Sequence, residues 1–196
     1  MRLILASASP RRARLLDQLG LDFVVVPSEV DESRYPDEPP SQYVERVARQ
    51  KCMAVQEAGT LVIGADTTVV HEGSVMGKPA HPEEARSMLR RLQGDTHEVF
   101  TGVAVSLAED GETRSAVDVT RVEMLPMTEN EIDEYVASGE PMGKAGAYAL
   151  QGVGGLFVRS VDGSPFTVIG LPIHLLPRLI ASVGVRWNDF RSGLEG

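Results

Sequence analysis

Apolar positions follow two periods along the chain, and their alternation predicts a mixture of strands and helices. An apolar run over residues 3–6 leads into a helical pattern that continues toward Gly20. A second helix is predicted over residues 41–58, where apolar residues recur at spacings of three and four. Residues 61–70 are almost uniformly apolar and predict a buried strand, in which Asp66 carries the only charge.

The rest of the chain continues this mixture of elements. Strands are predicted over residues 97–108, 113–124 and 156–161. Helices are predicted over residues 82–92, 128–139 and 173–183, with Pro177 as an irregularity in the last. Asp110 and Gly111 read as a hairpin turn, and no linker or internal repeat interrupts the pattern. We therefore expect an α/β fold with an antiparallel component, formed by one domain over residues 1–196.

Composition narrows the class of protein. The chain has 196 residues, 42% of them hydrophobic, and a net charge of −9. This balance leaves no broad basic surface for a nucleic acid or an anionic membrane. The single Cys52 cannot form an internal disulfide, and no segment approaches the roughly 20 apolar residues of a membrane span. The apolar run before Arg11 is too short for a signal peptide, so we expect a soluble cytoplasmic protein.

The segment SASPRR, residues 7–12, predicts an anion site at the start of the first helix. Ser9 has the residue type of an N-cap, and Pro10 suits the first helical position. Helix N-termini favour anions, and the Ser7 hydroxyl and the Arg11 and Arg12 guanidinium groups add donors for phosphate oxygens. The alternative is that the arginines only form a solvated first turn.

Two further residues carry charge at positions where the pattern is apolar. Lys51 lies four residues after Val47 and four before Val55, on the apolar face of the second helix. It therefore requires a carboxylate or a ligand phosphate as partner, unless its stem carries the ammonium out to solvent. Asp66, alone in its apolar strand, suits a metal ligand or a water-activating base, and the alternative is a carboxylate satisfied by backbone amides.

The sequence lacks the motifs of several common enzyme and cofactor-binding classes. It contains no GxxxxGK[ST] phosphate loop, no GxGxxG after a strand, no HExxH and no cysteine cluster. The four histidines are scattered, and neither Ser7 nor Ser9 has an evident base beside it. Hydrolysis by an activated water is therefore favoured over nucleophilic catalysis. The glycine-rich residues 144–155 would allow the backbone to approach a nucleobase closely or, equally, to pack against a neighbouring strand.

Six motifs in register resemble the Maf family of nucleoside triphosphate pyrophosphatases. In chain order they are SASPRR, SEVDES, the helix bearing Lys51, GADT, GKP and AGAYALQG. The resemblance implies a two-lobed α/β fold with a central mixed sheet and a cleft, similar to inosine triphosphate pyrophosphatases. It also implies a homodimer, a divalent Mg²⁺ or Mn²⁺ cofactor, and cleavage of a nucleoside triphosphate between its α and β phosphates.

The resemblance extends to a branch of the family. Arg11, Thr67 and Gln151 match the branch that acts on dTTP and UTP, whereas the branch acting on methylated GTP has tryptophan, glutamine and glutamate there. The choice is physically reasonable, because the amide of Gln151 can both donate to and accept from a pyrimidine edge. Tryptophan at position 11 would instead offer a stacking surface for a purine.

Roles for the charged residues follow from the same resemblance. Asp66 is expected to accept a proton from the attacking water and, with Glu32, to hold the metal; Glu29 and Asp31 are neighbouring alternatives to Glu32. The residues expected to bind the triphosphate are Ser7, Arg12, Lys51 and Lys78. Two other hypotheses stay open: a nucleotide-binding regulator of cell division without turnover, and the same chemistry on purines such as ITP or methylated GTP.

Overall fold

The computed structural model of the protein describes residues 1–108 and 111–191 and has a mixed α/β architecture. The strands are β1 (Arg2–Ala6), β2 (Val24–Val25), β3 (Thr60–His71), β4 (Ser74–Met76), β5 (Thr96–Leu107), β6 (Thr113–Met124) and β7 (Val158–Asp162). The α-helices are α1 (Pro10–Gln18), α2 (Pro40–Ala54), α3 (Pro82–Leu92), α4 (Glu129–Ala137), α5 (Pro165–Ile169) and α6 (Leu176–Ser182). None of the helices in the described ranges is long and apolar enough to cross a membrane.

The strands form one mixed sheet in the order β2-β1-β3-β5-β6-β7, with β4 paired to β3. The β1 strand runs parallel to both β2 and β3, and Leu3 lies opposite Leu61 in the second of these pairings. The β4 strand is antiparallel to β3, and β7 is antiparallel to β6. This combination confirms the prediction of an α/β fold with an antiparallel component.

The chain divides into two compact units, to which β3, β5 and β6 each contribute different portions. Unit 1 comprises residues 1–66, 101–118 and the chain from Gly170 onward. Unit 2 comprises residues 67–100 and 119–169. The division falls inside β3, so that Asp66 belongs to unit 1 and Thr67 to unit 2.

In unit 1, close packing of α2 against the sheet is possible because two strand positions are glycine. A Cβ built on Gly64 would lie 2.5 Å from the carbonyl oxygen of Ala48 in α2, and one on Gly102 would collide with the backbone of Val44. Around this contact lies a small apolar cluster, consisting of Ile4, Ala6, Ala48, Cys52, Val62 and Ala104. The two glycines thus fix how near α2 comes to β3 and β5.

The core of unit 2 is formed by α3 and α4 together with the adjoining strand segments. Its buried members include Val69, Met88, Leu89, Leu92, Val99, Met124, Ile132, Tyr135 and Tyr148. A capping box between Thr128 and Glu131 begins α4, as its sequence predicts. Arg86 and Arg90 of α3 form exposed ion pairs with Asp133 and Glu129 of α4, which complete the polar side of this helix pair.

Several predicted elements are confirmed, others differ from the prediction at their ends, and the short elements β2, β4 and α5 were not predicted. The α3 and β6 bounds are as predicted, and Glu72 and Gly73 both have positive φ in the turn between β3 and β4. The prediction for α2 was wrong at its C-terminus: the helix ends at Ala54, because the chain must turn to enter β3 at Thr60. Of the predicted hairpin turn, Asp110 lies outside the described residues.

The two predictions nearest the C-terminus also need correction. Residues 153–157 form a 3₁₀ turn, so the predicted strand over 156–161 begins only at Val158. The predicted helix over 173–183 is a 3₁₀ turn over residues 173–175 followed by α6. Pro177 therefore lies in the first turn of α6, where no helical partner for its missing N–H is needed.

Candidate active site

Arg12 is buried at the start of α1 and is held by side-chain and backbone acceptors. Only 8% of the residue is exposed. Nη1 donates to Oγ of Ser7 at 3.0 Å, and Nε donates to the carbonyl oxygen of Gly170 at 2.7 Å. Burial lowers the pKa of this guanidinium, whereas the nearby carboxylates of Asp66 and Glu32 act in the opposite direction. Arg12 is therefore a preorganised cation within electrostatic reach of both acids.

The start of α1 only partly follows the sequence prediction. Ser9 occupies the N-cap position and Pro10 the first turn, but the Ser9 side chain makes no capping hydrogen bond. Instead, the Ser9 amide donates to Oγ of Ser7 at 3.2 Å. The Ser7 hydroxyl thus organises the segment by accepting from the Ser9 backbone and from Arg12.

Lys51 is buried on the inner face of α2, and its ammonium contacts two carboxylates. Only 5% of the residue is exposed. Its Nζ lies 2.8 Å from Oδ1 of Asp66 and 2.8 Å from Oε1 of Glu32. Of the alternatives that the sequence left open, the structure therefore has a lysine paired with carboxylates rather than one extended to solvent. Asp66 is likewise buried, whereas the Glu32 side chain retains 37% of its exposure.

The loop that carries Glu32 is fastened to α2 by Arg46. Nε and Nη2 of Arg46 donate to the two carboxylate oxygens of Glu38 at 2.7 and 2.8 Å. The same guanidinium lies 4.0 Å from the ring centroid of Tyr35. The neighbouring Asp31 is engaged locally, where Oδ1 accepts from the Ser33 amide at 2.8 Å. Glu32 is accordingly the acid of this loop that reaches Lys51.

Tyr43 is a member of this cluster that the sequence analysis missed. Its hydroxyl donates to the carbonyl oxygen of Glu32 at 2.9 Å. Burial raises the pKa of Tyr43 to about 12, and the carboxylates of Asp66 and Glu32 add to the rise. The available signal was the spacing of Tyr43, Val47 and Lys51, which places all three on one helix face.

The remaining predicted residues belong to unit 2. Thr67 directly follows Asp66 in β3, and Lys78 is an exposed residue just after β4. Gln151 is exposed in the glycine-rich loop. A hydrogen bond of 3.2 Å from the Gly146 amide to the Gly77 carbonyl oxygen joins the Lys78 segment to the start of that loop. Of the predicted residues, the structure groups Ser7, Arg11, Arg12, Glu32, Lys51 and Asp66 in unit 1.

Other reactive residue types have structural partners instead of a place in this cluster. In unit 2, Nε2 of the buried His97 lies 2.8 Å from the Tyr148 hydroxyl, and burial lowers the pKa of His97 to about 4. In unit 1, Sγ of Cys52 lies 3.3 Å from the carbonyl oxygen of Ala104, and burial raises the pKa of this thiol to about 12. Cys52 is therefore a protonated packing residue of α2.

The sheet and the charged cluster together define a class: mixed α/β proteins whose first βα junction presents arginine beside a buried lysine bridging two acids. Comparison with known proteins makes this specific. The chain belongs to the Maf family, since the family model described as Maf-like protein matches residues 2–183. The fold and the family that the sequence motifs predicted are thereby confirmed.

Individual relatives are similar over most of their length. A protein of Anaeromyxobacter sp. (strain Fw109-5), named dTTP/UTP pyrophosphatase, is 50% identical over 186 residues, covering 93% of this chain and 90% of the relative. One of the same name from Moorella thermoacetica is 48% identical, covering 94% and 96%. Among solved structures, the Staphylococcus aureus Ham1 protein matches with a TM-score of 0.45 and 16% identity over 63% of this chain and 72% of that chain.

Proposed function

We propose that the protein is a nucleoside triphosphate pyrophosphatase that hydrolyses dTTP and UTP to the monophosphate and pyrophosphate. The observation that carries the proposal is the buried cluster in which Lys51 bridges Asp66 and Glu32 within electrostatic reach of Arg12. The names of relatives about half identical over nine-tenths of the chain support the same activity.

The acids of this cluster suit a divalent cation. Oδ1 of Asp66 and Oε1 of Glu32 both lie 2.8 Å from Nζ of Lys51, so the two carboxylates already converge on one positive group, and these are the residues that would hold the metal. Carboxylate oxygens are the ligands that Mg²⁺ and Mn²⁺ prefer. The described residues contain no group of three or more side chains able to hold a metal, which fits a site completed by substrate phosphates and water. When bound, the metal would neutralise charge that develops on the phosphoryl oxygens.

The proposed chemistry is attack of water on the α-phosphorus. Asp66 orients the water and accepts its proton as the new P–O bond forms. The bond from the α-phosphorus to the oxygen that bridges it to the β-phosphorus breaks, and pyrophosphate leaves with that oxygen. Burial of Asp66 serves this role, because few water molecules compete for its carboxylate.

Binding and selectivity are assigned to the other residues of the family motifs. Those proposed to hold the triphosphate are Ser7, Arg12, Lys51 and Lys78, which supply hydroxyl, guanidinium and ammonium donors. Those proposed to select the base are Arg11, Thr67 and Gln151. We further propose that residues 1–196 act as one functional domain, in the cytoplasm and as a homodimer; light scattering of the purified protein tests the dimer.

Pyrophosphate release from a panel of nucleotides tests the proposed function. With Mg²⁺ present, the protein is expected to act on dTTP and UTP with higher kcat/KM than on dCTP, ITP or methylated GTP. Binding of dTTP without any release would establish the alternative of a regulator. A higher kcat/KM for either purine would keep the chemistry but overturn the assignment of Arg11, Thr67 and Gln151.

A further inference from the structure

The loop that carries Gln151 is fastened at both ends to one pair of side chains at the end of α4. On the N-terminal side of Gln151, the Ala149 amide donates to the Tyr135 hydroxyl at 3.1 Å. On its C-terminal side, the amides of Val153 and Gly154 donate to the Glu140 carboxylate at 3.0 and 2.9 Å. The Tyr135 hydroxyl in turn donates to Oε1 of Glu140 at 2.9 Å, which closes the connection.

Glycines in the loop leave the space that this fastening requires. A Cβ on Gly152 would collide with the carboxylate of Glu140, and a Cβ on Gly154 would collide with the Tyr135 hydroxyl. Neither glycine has a positive φ, so backbone conformation does not account for its small size. The two positions are small because the tyrosine and the glutamate occupy the volume beside them.

The Glu140 carboxylate is held in its ionised form, in which both oxygens accept hydrogen bonds. Burial raises the pKa of Glu140, but hydrogen bonds from Gly154, Val153 and Tyr135 outweigh it, so its pKa lies below the ordinary value. Tyr135 is buried, and its ring packs against Phe157 with centroids 5.8 Å apart. The pair is therefore a rigid support, whereas Gln151, between the fastened ends, is exposed.

We propose that Glu140 and Tyr135 are positioning residues that hold the Gln151 loop in the conformation that selects the base. This inference rests on the proposed function, because Gln151 takes part in base selection only there. Glu140 acts through the amides of Val153 and Gly154 and does not touch the substrate. The reason is entropic. If the loop were free to move, the side-chain amide of Gln151 would have to be ordered when the nucleotide binds, and this cost would weaken its discrimination between nucleobases.

The test compares dTTP with ITP in the full-length protein and in three variants, Glu140→Ala, Tyr135→Phe and Gln151→Ala. Glu140→Ala is expected to lower kcat/KM for dTTP about tenfold or more, mainly through KM, while changing that for ITP much less. Tyr135→Phe keeps the ring packing and is expected to have a weaker effect of the same kind. The matched control is Glu134→Ala on α4, because the exposed Glu134 carboxylate accepts a hydrogen bond from the Asn130 side chain and lies outside the contacts that hold the loop.

A double-mutant cycle decides whether Glu140 acts through Gln151. If it does, Gln151→Ala costs much less selectivity in the Glu140→Ala background than in the wild type. Additive losses, or an equal loss for dTTP and ITP, would overturn the inference while leaving the proposed function standing. A wild type that releases no pyrophosphate from dTTP or UTP would overturn the proposed function and this role with it. Thermal melting of each variant separates loss of selectivity from loss of the fold.

Discussion

Lys51 stands at the point where two acids from different parts of unit 1 meet. Its ammonium balances the carboxylates of Asp66 in β3 and of Glu32 in the loop before α2, each at 2.8 Å. Because Asp66 is buried, this balance is needed before any ligand arrives. The same three groups are the ones to which the proposed function assigns proton transfer, metal binding and phosphate binding. A change at one of them should therefore affect both stability and chemistry, in proportions that differ between residues.

Asp66→Asn is expected to abolish the proposed turnover while the chain stays folded. Asparagine has nearly the same shape but cannot accept a proton from water, so kcat should fall by at least about 100-fold. Glu32 still balances the Lys51 ammonium in this variant. Pyrophosphate release measures the loss, and a melting curve checks the fold. Full activity in Asp66→Asn would remove this residue from the base role.

Lys51→Met is expected to destabilise the fold and to make it responsive to divalent cations. Removing the ammonium leaves two carboxylates facing each other, one of them buried, at a cost of about 3 kcal/mol in the free energy of unfolding. Mg²⁺ should then raise the melting temperature of the variant more than that of the wild type. Arg2→Met, which breaks the exposed pair with Glu57, is the control and should cost less than about 1 kcal/mol. An unchanged response to Mg²⁺ would argue against a metal site at these acids.

At the scale of elements, helix α2 determines where the charged cluster forms. Its inner face carries both Tyr43 and Lys51, and its distance from the sheet is limited by Gly64 and Gly102. Neither glycine has a positive φ, so the requirement for glycine here is space rather than backbone conformation. The helix can therefore be displaced by adding a single methyl group to the strand beneath it.

Gly102→Ala is expected to lower the free energy of unfolding by about 1–3 kcal/mol, because the added Cβ meets backbone atoms of Val44 that cannot rotate away. The proposed activity should fall as well, since α2 carries Lys51. Gly77→Ala is the matched control for stability: a Cβ there meets nothing within 4 Å, so the change should stay below about 1 kcal/mol. Urea denaturation of both variants makes the comparison, and equal stabilities would refute the packing argument.

Sequence patterns located the long elements and the charged residues, but not how those residues pair. Helix α3 follows from its apolar period and Gly94, whereas the end of α2 at Ala54 depends on the entry of the chain into β3. The burial of Lys51 was foreseeable from its helix face. Its two partners were not, because ion pairs between distant segments leave no local pattern. The support of the Gln151 loop by Glu140 is a long-range contact of the same kind.

At the scale of the whole molecule, stability should depend on pH through a histidine in the core of unit 2. Burial lowers the pKa of His97 to about 4, from an ordinary value of 6.5. The titratable groups that face it are His71 and Asp95, and Nε2 of His71 lies 2.9 Å from Oδ2 of Asp95. Hydrogen bonds to Asp95, first from His71 and then from the Thr96 amide, lower the pKa of that carboxylate. Its contribution to the free energy of unfolding is therefore lost only in more acidic solution.

His97→Gln is expected to flatten the dependence of stability on pH between about 7 and 4. In this window the unfolded chain binds a proton at position 97 and the folded protein does not, so the wild type loses up to about 3 kcal/mol as the pH falls. Glutamine does not titrate, and its amide can still donate to the Tyr148 hydroxyl. Urea denaturation at a series of pH values gives the difference between the two curves. Parallel curves would mean that His97 is protonated equally in both states.

The burial of Cys52 has a practical consequence for site-specific fluorescent labelling of the protein. Its thiol is held between α2 and the sheet, contacts carbonyl oxygens of Val62 and Ala104, and stays protonated far above neutral pH. Maleimide dyes react with accessible thiolates, so the native chain should remain unlabelled while folded. Cysteines introduced at chosen surface positions would then carry fluorophores specifically, without first removing the protein's own thiol.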